Sequence, residues 1–259
     1  MEPVAPAAVL VQLSDVHIGS RLGRRRADAY DELRRAVAAV AALDLAVDLV
    51  VVTGDLAEHG RAAEYAQLVA ALDELPCPYV LAAGNHDDPS SVRALMADRL
   101  PLAPGLASVT YAADVGPLRL LVLDSCVPGR DHGRVGPEQC AWLDAELRAY
   151  VRPTVVVVHH PPVAIGHALL DTMFLADADA LGAVIERHAH VERIICGHVH
   201  RAVAVRWRGT VVTTAPSGIR QFGPAFRPDA PFVLSDEAPG MAVHVWVAGA
   251  LVTHVIAIE

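Results

Sequence analysis

The sequence predicts an α/β fold, and three observations carry that expectation. Short β-branched runs alternate with longer amphipathic stretches along most of the chain. The polar, chemistry-bearing clusters fall just after the apolar runs, where an open α/β sheet places its ligands. The C-terminal part changes to closely spaced hairpins, which adds antiparallel pairing and predicts a second sheet or a mixed one.

Taken in order, Val9–Leu13 reads as a buried strand and Asp48–Thr53 (DLVVVT) as the next. Tyr79–Ala83, Leu118–Leu123, Thr154–Val158 and Val191–Cys196 continue the series. Between the first two, Asp31–Leu43 sets Leu33, Val37, Val40 and Ala41 on one helical face. Arg61–Leu75 and Pro137–Tyr150 read alike, the latter opening on Pro137 and acidic Glu138. Such alternation argues for βαβ units with largely parallel pairing. Val203–Trp207, Thr210–Ala215, Ala242–Val247 and Leu251–Ile258 are strands joined by short turns, and the Pro- and Gly-rich Ser217–Gly240 is a long irregular loop. With no linker or internal repeat visible, one domain over residues 1–259 is expected.

Composition narrows the function. The chain carries 30 acidic and 21 basic residues, a formal charge of −9, and every basic residue is arginine. Absence of lysine excludes lysine Schiff-base chemistry and the lysine of a P-loop. The acidic balance argues against sequence-independent nucleic-acid binding, which needs a basic footprint. Cys77, Cys126, Cys140 and Cys196 are scattered without a C-x-x-C pair, so they read as small hydrophobes rather than a framework. No apolar run approaches the roughly 18–20 residues of a membrane span, and Met1–Leu13 lacks a basic leader, so a soluble cytoplasmic protein is expected.

Five strand ends carry metal-capable side chains: Asp15 and His17 in SDVHIGS, Gly54-Asp55, Gly84-Asn85-His86-Asp87, His159-His160-Pro161-Pro162, and Gly197-His198-Val199-His200. Each alone is an ordinary polar turn. Together they would bury carboxylates and imidazoles at a cost that a cation relieves. In the H-x-H triplet, an extended backbone would aim His198 and His200 the same way. Oxygen and imidazole donors without thiolate suit Mn, Fe or Zn.

The ordered set D-x-H, G-D, G-N-H-D, H-H and G-H-x-H resembles the calcineurin-like metallophosphoesterase superfamily from Asp15 to His200. GDLAEHGRAAEY, AAGNHDD, HHPPVAIG and RIICGHVH look most like the bacterial class III cyclic-nucleotide phosphodiesterases and glycerophosphodiesterases. That resemblance implies a four-layer αββα sandwich of two mixed sheets flanked by helices. It implies two divalent metal ions, one held by Asp15, His17 and His200, the other by Asn85, His159 and His198, with Asp55 bridging. Of the pair His159-His160 it favours His159 as the ligand. It implies hydrolysis of small phosphodiesters (cyclic nucleotides or glycerophosphodiesters) by in-line attack of a metal-bridging hydroxide, with His86 stabilising charge and protonating the leaving alkoxide. Asp87 and Glu58 both stand as acids that would orient His86; related protein phosphatases have aspartate where Glu58 stands. A phosphomonoesterase or protein phosphatase, a nucleotide pyrophosphatase, and an inactive metal-binding scaffold are the alternatives. Similar proteins form dimers or higher assemblies, and the strands from Ala242 to Ile258 would supply a pairing edge.

Other polar residues are weighed beside these. Arg21 and Arg24-Arg25-Arg26 suit phosphate contact or a solvated loop. His59, His132 and His167 are candidates for the pocket rim, and Arg220 and Gln221 for substrate-facing positions. His188, His190, His244 and His254 read as structural.

Overall fold

The computed structural model describes residues 5–21 and 27–259. The first sheet contains β1 (Ala8–Leu13), β2 (Leu49–Thr53), β3 (Tyr79–Ala82), β10 (Gly240–Val247) and β11 (Ala250–Ala257), in the order β11-β10-β1-β2-β3. The second contains β4 (Tyr111–Val115), β5 (Leu118–Val122), β6 (Thr154–Val157), β7 (Val191–Cys196), β8 (Val203–Trp207) and β9 (Thr210–Thr214), in the order β4-β5-β6-β7-β9-β8. Both are mixed. β1, β2 and β3 run parallel, as do β5, β6, β7 and β9, while β10, β11, β4 and β8 join antiparallel.

Alternation along the strands builds four layers. Leu120, Val122, Val155, Val157 and Ile195 of the second sheet share a core with Val9, Val11 and Leu13 of the first. The intervening residues Leu121, Val156, Ile194 and Cys196 turn the other way. They pack against Leu143, Leu147, Leu181 and Ile185 of α4 (Pro137–Ala149) and α5 (Ala178–Ile185). α1 (Ala29–Ala41) and α2 (Ala62–Leu72) cover the first sheet with Leu33, Val37, Val40, Leu68 and Leu72. Strands covered on both faces explain the continuous apolar runs LVVVT and TVVV. The fold is the αββα sandwich that the sequence resemblance implied.

Local signals set the helix starts. The Asp28 side chain caps α1 by accepting from Tyr30 N at 2.9 Å. α3 (Pro89–Ala97) begins with Asp88 capping Ser90 and Ser91 and proline at its first turn. This helix, α5 and β4 are additions to the elements expected from sequence. Each is short, and α3 buries only Val92 and Met96, too few positions for a periodic signal. Ser217–Gly240 is irregular as expected, apart from a bridge between Phe222 and Leu234.

Candidate metal centre

The parallel strands bring the five polar clusters to one edge, and backbone hydrogen bonds hold the loops in register. Asp15 N donates to Gly54 O at 3.1 Å, His17 N to Asp55 O at 2.9 Å, and Gly197 N to His159 O at 3.0 Å. Gln12, fully buried on β1, joins the two sheets beneath the site. Its Nε2 donates to Thr53 Oγ1 at 3.0 Å and to Cys196 O at 2.8 Å. Ser217 Oγ donates to Asp15 O at 2.9 Å, drawing the long irregular loop onto the same edge. Gln12, Ser217 and Thr53 carry no metal-site signature in the sequence; a polar residue inside an apolar strand was the only clue to Gln12.

Among the described residues, seven non-glycine residues have positive φ, and five are candidate ligands: Asp15, His17, Asp55, His198 and His200. Their side chains leave the strand ends through left-handed turns, a conformation that β-carbons disfavour. His198 (φ 70°) and His200 (φ 49°) therefore do not follow the extended alternation expected of the H-x-H triplet. They reach the centre through different atoms, His198 by Nδ1 and His200 by Nε2. Gly84 is required by packing, because a β-carbon there would collide with the backbone N and carboxylate of Asp55.

The hydrogen-bond pattern defines what the centre wants. His159 Nδ1–H donates to Thr53 O at 2.8 Å, and His200 Nδ1–H to Arg220 O at 2.9 Å. A carbonyl can only accept, so in the neutral form of each ring Nε2 is the lone-pair nitrogen. His17 Nδ1 faces Glu58 Oε2 at 2.9 Å; burial opposes charge on this ring, but Glu58, Asp55 and Asp15 together raise it above its ordinary value. The consequence is nitrogen against nitrogen and nitrogen against oxygen, in pairs that need a proton or a cation between them. His17 Nε2 and His200 Nε2 lie 3.2 Å apart. His159 Nε2 lies 3.2 Å from Asn85 Oδ1 and 3.5 Å from Asp55 Oδ1. Asp55 Oδ2 lies 3.5 Å from His17 Nε2, so this carboxylate touches both halves. His198 Nδ1 is 3.0 Å from Asn85 Oδ1, and its buried Nε2 has no hydrogen-bond partner.

Asp15, His17, Asp55 and His200 form one group whose donor atoms lie within 4.8 Å of one another. His159, His160 and His198 form a second on the same criterion. His160 is committed elsewhere: its Nε2–H donates to Asp131 O at 3.1 Å and its Nδ1 accepts from Ser125 Oγ at 2.7 Å. His159 thus faces Asp55 and His160 packs behind. Burial, then the neighbouring imidazoles, hold His198 and His200 down to about 3, so both stay neutral as metal-binding imidazoles must. Burial opposes charge on His159, but the Asp55 and Asp15 carboxylates and the Thr53 carbonyl together outweigh it and lift the imidazole to about 9. A proton there occupies the place a cation would take. The donor set fits divalent metal.

His86 sits at the mouth. Its backbone N donates to Asp55 Oδ1 at 3.0 Å and its ring meets that of His17 edge-on at 4.7 Å. Neither acid considered for orienting it does so through its carboxylate. Asp87 is turned inward, accepting from Gly84 N, Leu56 N, Ala57 N and Tyr65 Oη at 2.9–3.2 Å. The Glu58 carboxylate pairs with His17, while the Glu58 carbonyl receives His86 Nδ1–H at 3.1 Å. His86 Nε2 is thereby the ring nitrogen left free of that bond.

The remaining candidates separate clearly. A cleft of about 380 Å³ opens over the centre, lined by His17, Asp55, Glu58, Asn85, His86, His198 and His200, with Arg220 and Asp131 on its wall. Gln221 corrects the sequence expectation: it is buried and ties Ser217 to Ala238, because its amide satisfies the loop's own backbone. His167 is buried and bonded to Gly223 O and Leu170 N, and His59 pairs with Glu64 at the start of α2, so neither lines the cleft. His132 is not among its lining residues. Arg21 is exposed, and Arg24-Arg25-Arg26 lie outside the described residues. His188 pairs with Asp144, and the four cysteines are unpaired. No helix of the described residues is long and apolar enough to cross a membrane.

Comparison with known proteins agrees with this geometry. A probable glycerophosphodiester phosphodiesterase GpdQ of Arcobacter nitrofigilis is 28% identical over 92% of this chain and 88% of its own length. A cAMP/cGMP dual specificity phosphodiesterase of Mycobacterium tuberculosis is 33% identical over 81% of this chain and 67% of its own. The 3′,5′-cyclic adenosine monophosphate phosphodiesterase CpdA of Vibrio vulnificus is 30% identical over 89% and 82%. In fold, a dimetal phosphatase from Danio rerio superposes with a TM-score of 0.68 at 16% identity, covering 98% of this chain and all of that one. The model of the calcineurin-like phosphoesterase family matches residues 8–202, and with the strand-end geometry above, the chain belongs to that family.

Proposed function

We propose that the protein is a dinuclear-metal phosphodiesterase acting on small phosphodiesters. The observation that carries this reading is the convergence, from five strand ends, of imidazole nitrogens with carboxylate and amide oxygens 3.2–3.5 Å apart, in pairs that need a proton or a cation between them. Asp15, His17 and His200 would hold one ion, and Asn85, His159 and His198 the other, with Asp55 shared. Relatives named for glycerophosphodiester and cyclic-nucleotide hydrolysis support the diester class. The nitrogen and oxygen donors suit Mn, Fe or Zn. Two such ions supply Lewis acidity at phosphorus and a nucleophile from water near neutral pH.

The chain's own part is positional. His86, steered by the Glu58 carbonyl, offers Nε2 to the phosphoryl group, where in its protonated form it donates to the departing alkoxide. Asp55 sets that residue's height by accepting its backbone N–H.

Turnover of bis(p-nitrophenyl) phosphate with added Mn²⁺ tests the reading, with metal content measured in parallel. His86→Ala should lower kcat about 10²–10⁴-fold with both metals retained. Asp55→Ala should lose metal and activity together. Wild type as inert as Asp55→Ala under every divalent ion would leave the scaffold alternative standing. Monoester turnover far above every diester would replace the diesterase reading with a phosphomonoesterase.

A further inference from the structure

The cleft continues away from the candidate ligands along a wall that phosphoryl chemistry does not require. Leu169, Met173, Ile219, Phe222, Phe232 and Leu234 line it. Two ring contacts carry this wall outward. Phe222 stacks on His200 with centroids 4.0 Å apart and planes at 9°, and Phe232 meets Phe222 at 4.8 Å and 67°. The loops bearing it are stitched together. Ala168 N donates to Ala225 O at 2.8 Å, His167 Nε2–H to Gly223 O at 3.2 Å, and Gly223 N to Val233 O at 2.8 Å. The wall stays apolar at its outer edge, where Leu169 is 40% and Phe232 45% exposed. Phe226 and Val233, beside the same stitches, are 77% and 45% exposed. Half of the exposed large hydrophobic side chains among the described residues thus belong to these two loops.

An apolar patch continuous with a polar centre marks a ligand site. Apart from the metal-centre side chains and Glu58, its polar lining is Asp131 and Arg220, and Arg220 already bonds Ser235 O at 3.3 Å and Asp236 Oδ1 at 3.2 Å. A bare polyol would lose water against Leu169, Met173 and Phe232 with few groups to replace it. The inclined Phe222 and Phe232 rings instead make a corner that a flat ring fills, face to one and edge to the other.

We propose that this corner is the subsite for the alcohol portion of the substrate and selects phosphodiesters bearing a flat aromatic group over those bearing a polyol or methyl group. The assignment rests on the phosphodiesterase reading for its phosphoryl end only. The test uses Mn²⁺-loaded wild type, Phe232→Ala and Leu169→Ala, both substituted side chains being substantially exposed and so outside the folding core. Binding of phenylphosphonate, n-octylphosphonate, glycerol 3-phosphate and methylphosphonate is measured by calorimetry. Phenylphosphonate should bind at least about tenfold tighter than methylphosphonate, and Phe232→Ala should erase that ratio while leaving methylphosphonate unchanged. Measurable but equal phenyl and methyl affinities, or tighter binding of the octyl or glycerol compound, overturns the proposal. In parallel, 2-naphthol, which has no phosphoryl group, is titrated by fluorescence. Its binding to wild type but not to Phe232→Ala supports the corner even if every phosphorus compound fails, an outcome that would remove the metal reading alone. Naphthol binding indifferent to Phe232 overturns the corner.

Discussion

Glu58 serves two histidines with two different atoms: its carboxylate lies 2.9 Å from His17 Nδ1 and its carbonyl receives His86 Nδ1–H. A carboxylate behind a metal-binding imidazole fixes the tautomer and raises ligand basicity. Glu58→Gln keeps the backbone carbonyl, so it should weaken Mn²⁺ binding about 10–100-fold, read by calorimetry, while His86 remains oriented. A loss of kcat at saturating metal comparable to that of His86→Ala would contradict this division of labour. Gln12 works at the same scale but beneath the site. Its amide satisfies Thr53 Oγ1 and Cys196 O, and its carbonyl faces His244 Nε2 at 3.1 Å. Gln12→Leu leaves the buried His244 Nε2 without its partner and takes one bond each from Thr53 Oγ1 and Cys196 O, which keep others, and should lower unfolding stability by about 1–3 kcal/mol in urea titration.

Among the elements, β2 and β6 were readable from sequence because burial on both faces demands unbroken β-branched runs. Their polar ends were readable for the complementary reason, since carboxylates and imidazoles closing apolar strands have no packing purpose. The path from backbone to metal was not readable. His198 and His200 enter left-handed turns that no spacing rule specifies, so the expected alternation gave the right neighbours through the wrong conformation. Gln221 was misassigned because a polar side chain near a site looks the same in sequence whether it faces substrate or its own loop; Ser217 and Ala238 decide it. β4, with its half-buried alanines, and the short helices α3 and α5 lack the length on which periodicity depends.

Over the whole molecule, pH acts through a histidine remote from the cleft. His244 on β10 is fully buried between Gln12 of β1 and Thr253 of β11, with the Arg193 guanidinium of β7 bonded to the same Thr253. Burial, then Arg193, hold it down to about 3 from an ordinary 6.5. Between those values the unfolded chain binds a proton that the folded chain refuses. His244's contribution to stability is therefore complete above about pH 6.5 and declines as pH falls toward 3. His244→Gln removes this contribution, so its urea midpoint should fall less steeply than wild type from pH 7 to 4. Parallel slopes would show that His244 is not a source of acid sensitivity.

The origin of the candidate ligands has a mechanical consequence at this scale. Asp15, Asp55 and Asn85 follow strands of the first sheet, whereas His159, His198 and His200 follow strands of the second. Cations shared between these sets would rivet the two halves of the sandwich at one rim. Loading with Mn²⁺ should raise the calorimetric melting temperature, by about 2.7 kcal/mol of added stability at one hundred times the dissociation constant. Chelation should let the sheets part at that rim first, with hydrogen exchange quickening at Thr53 and Cys196 before it does at the opposite end of the strands.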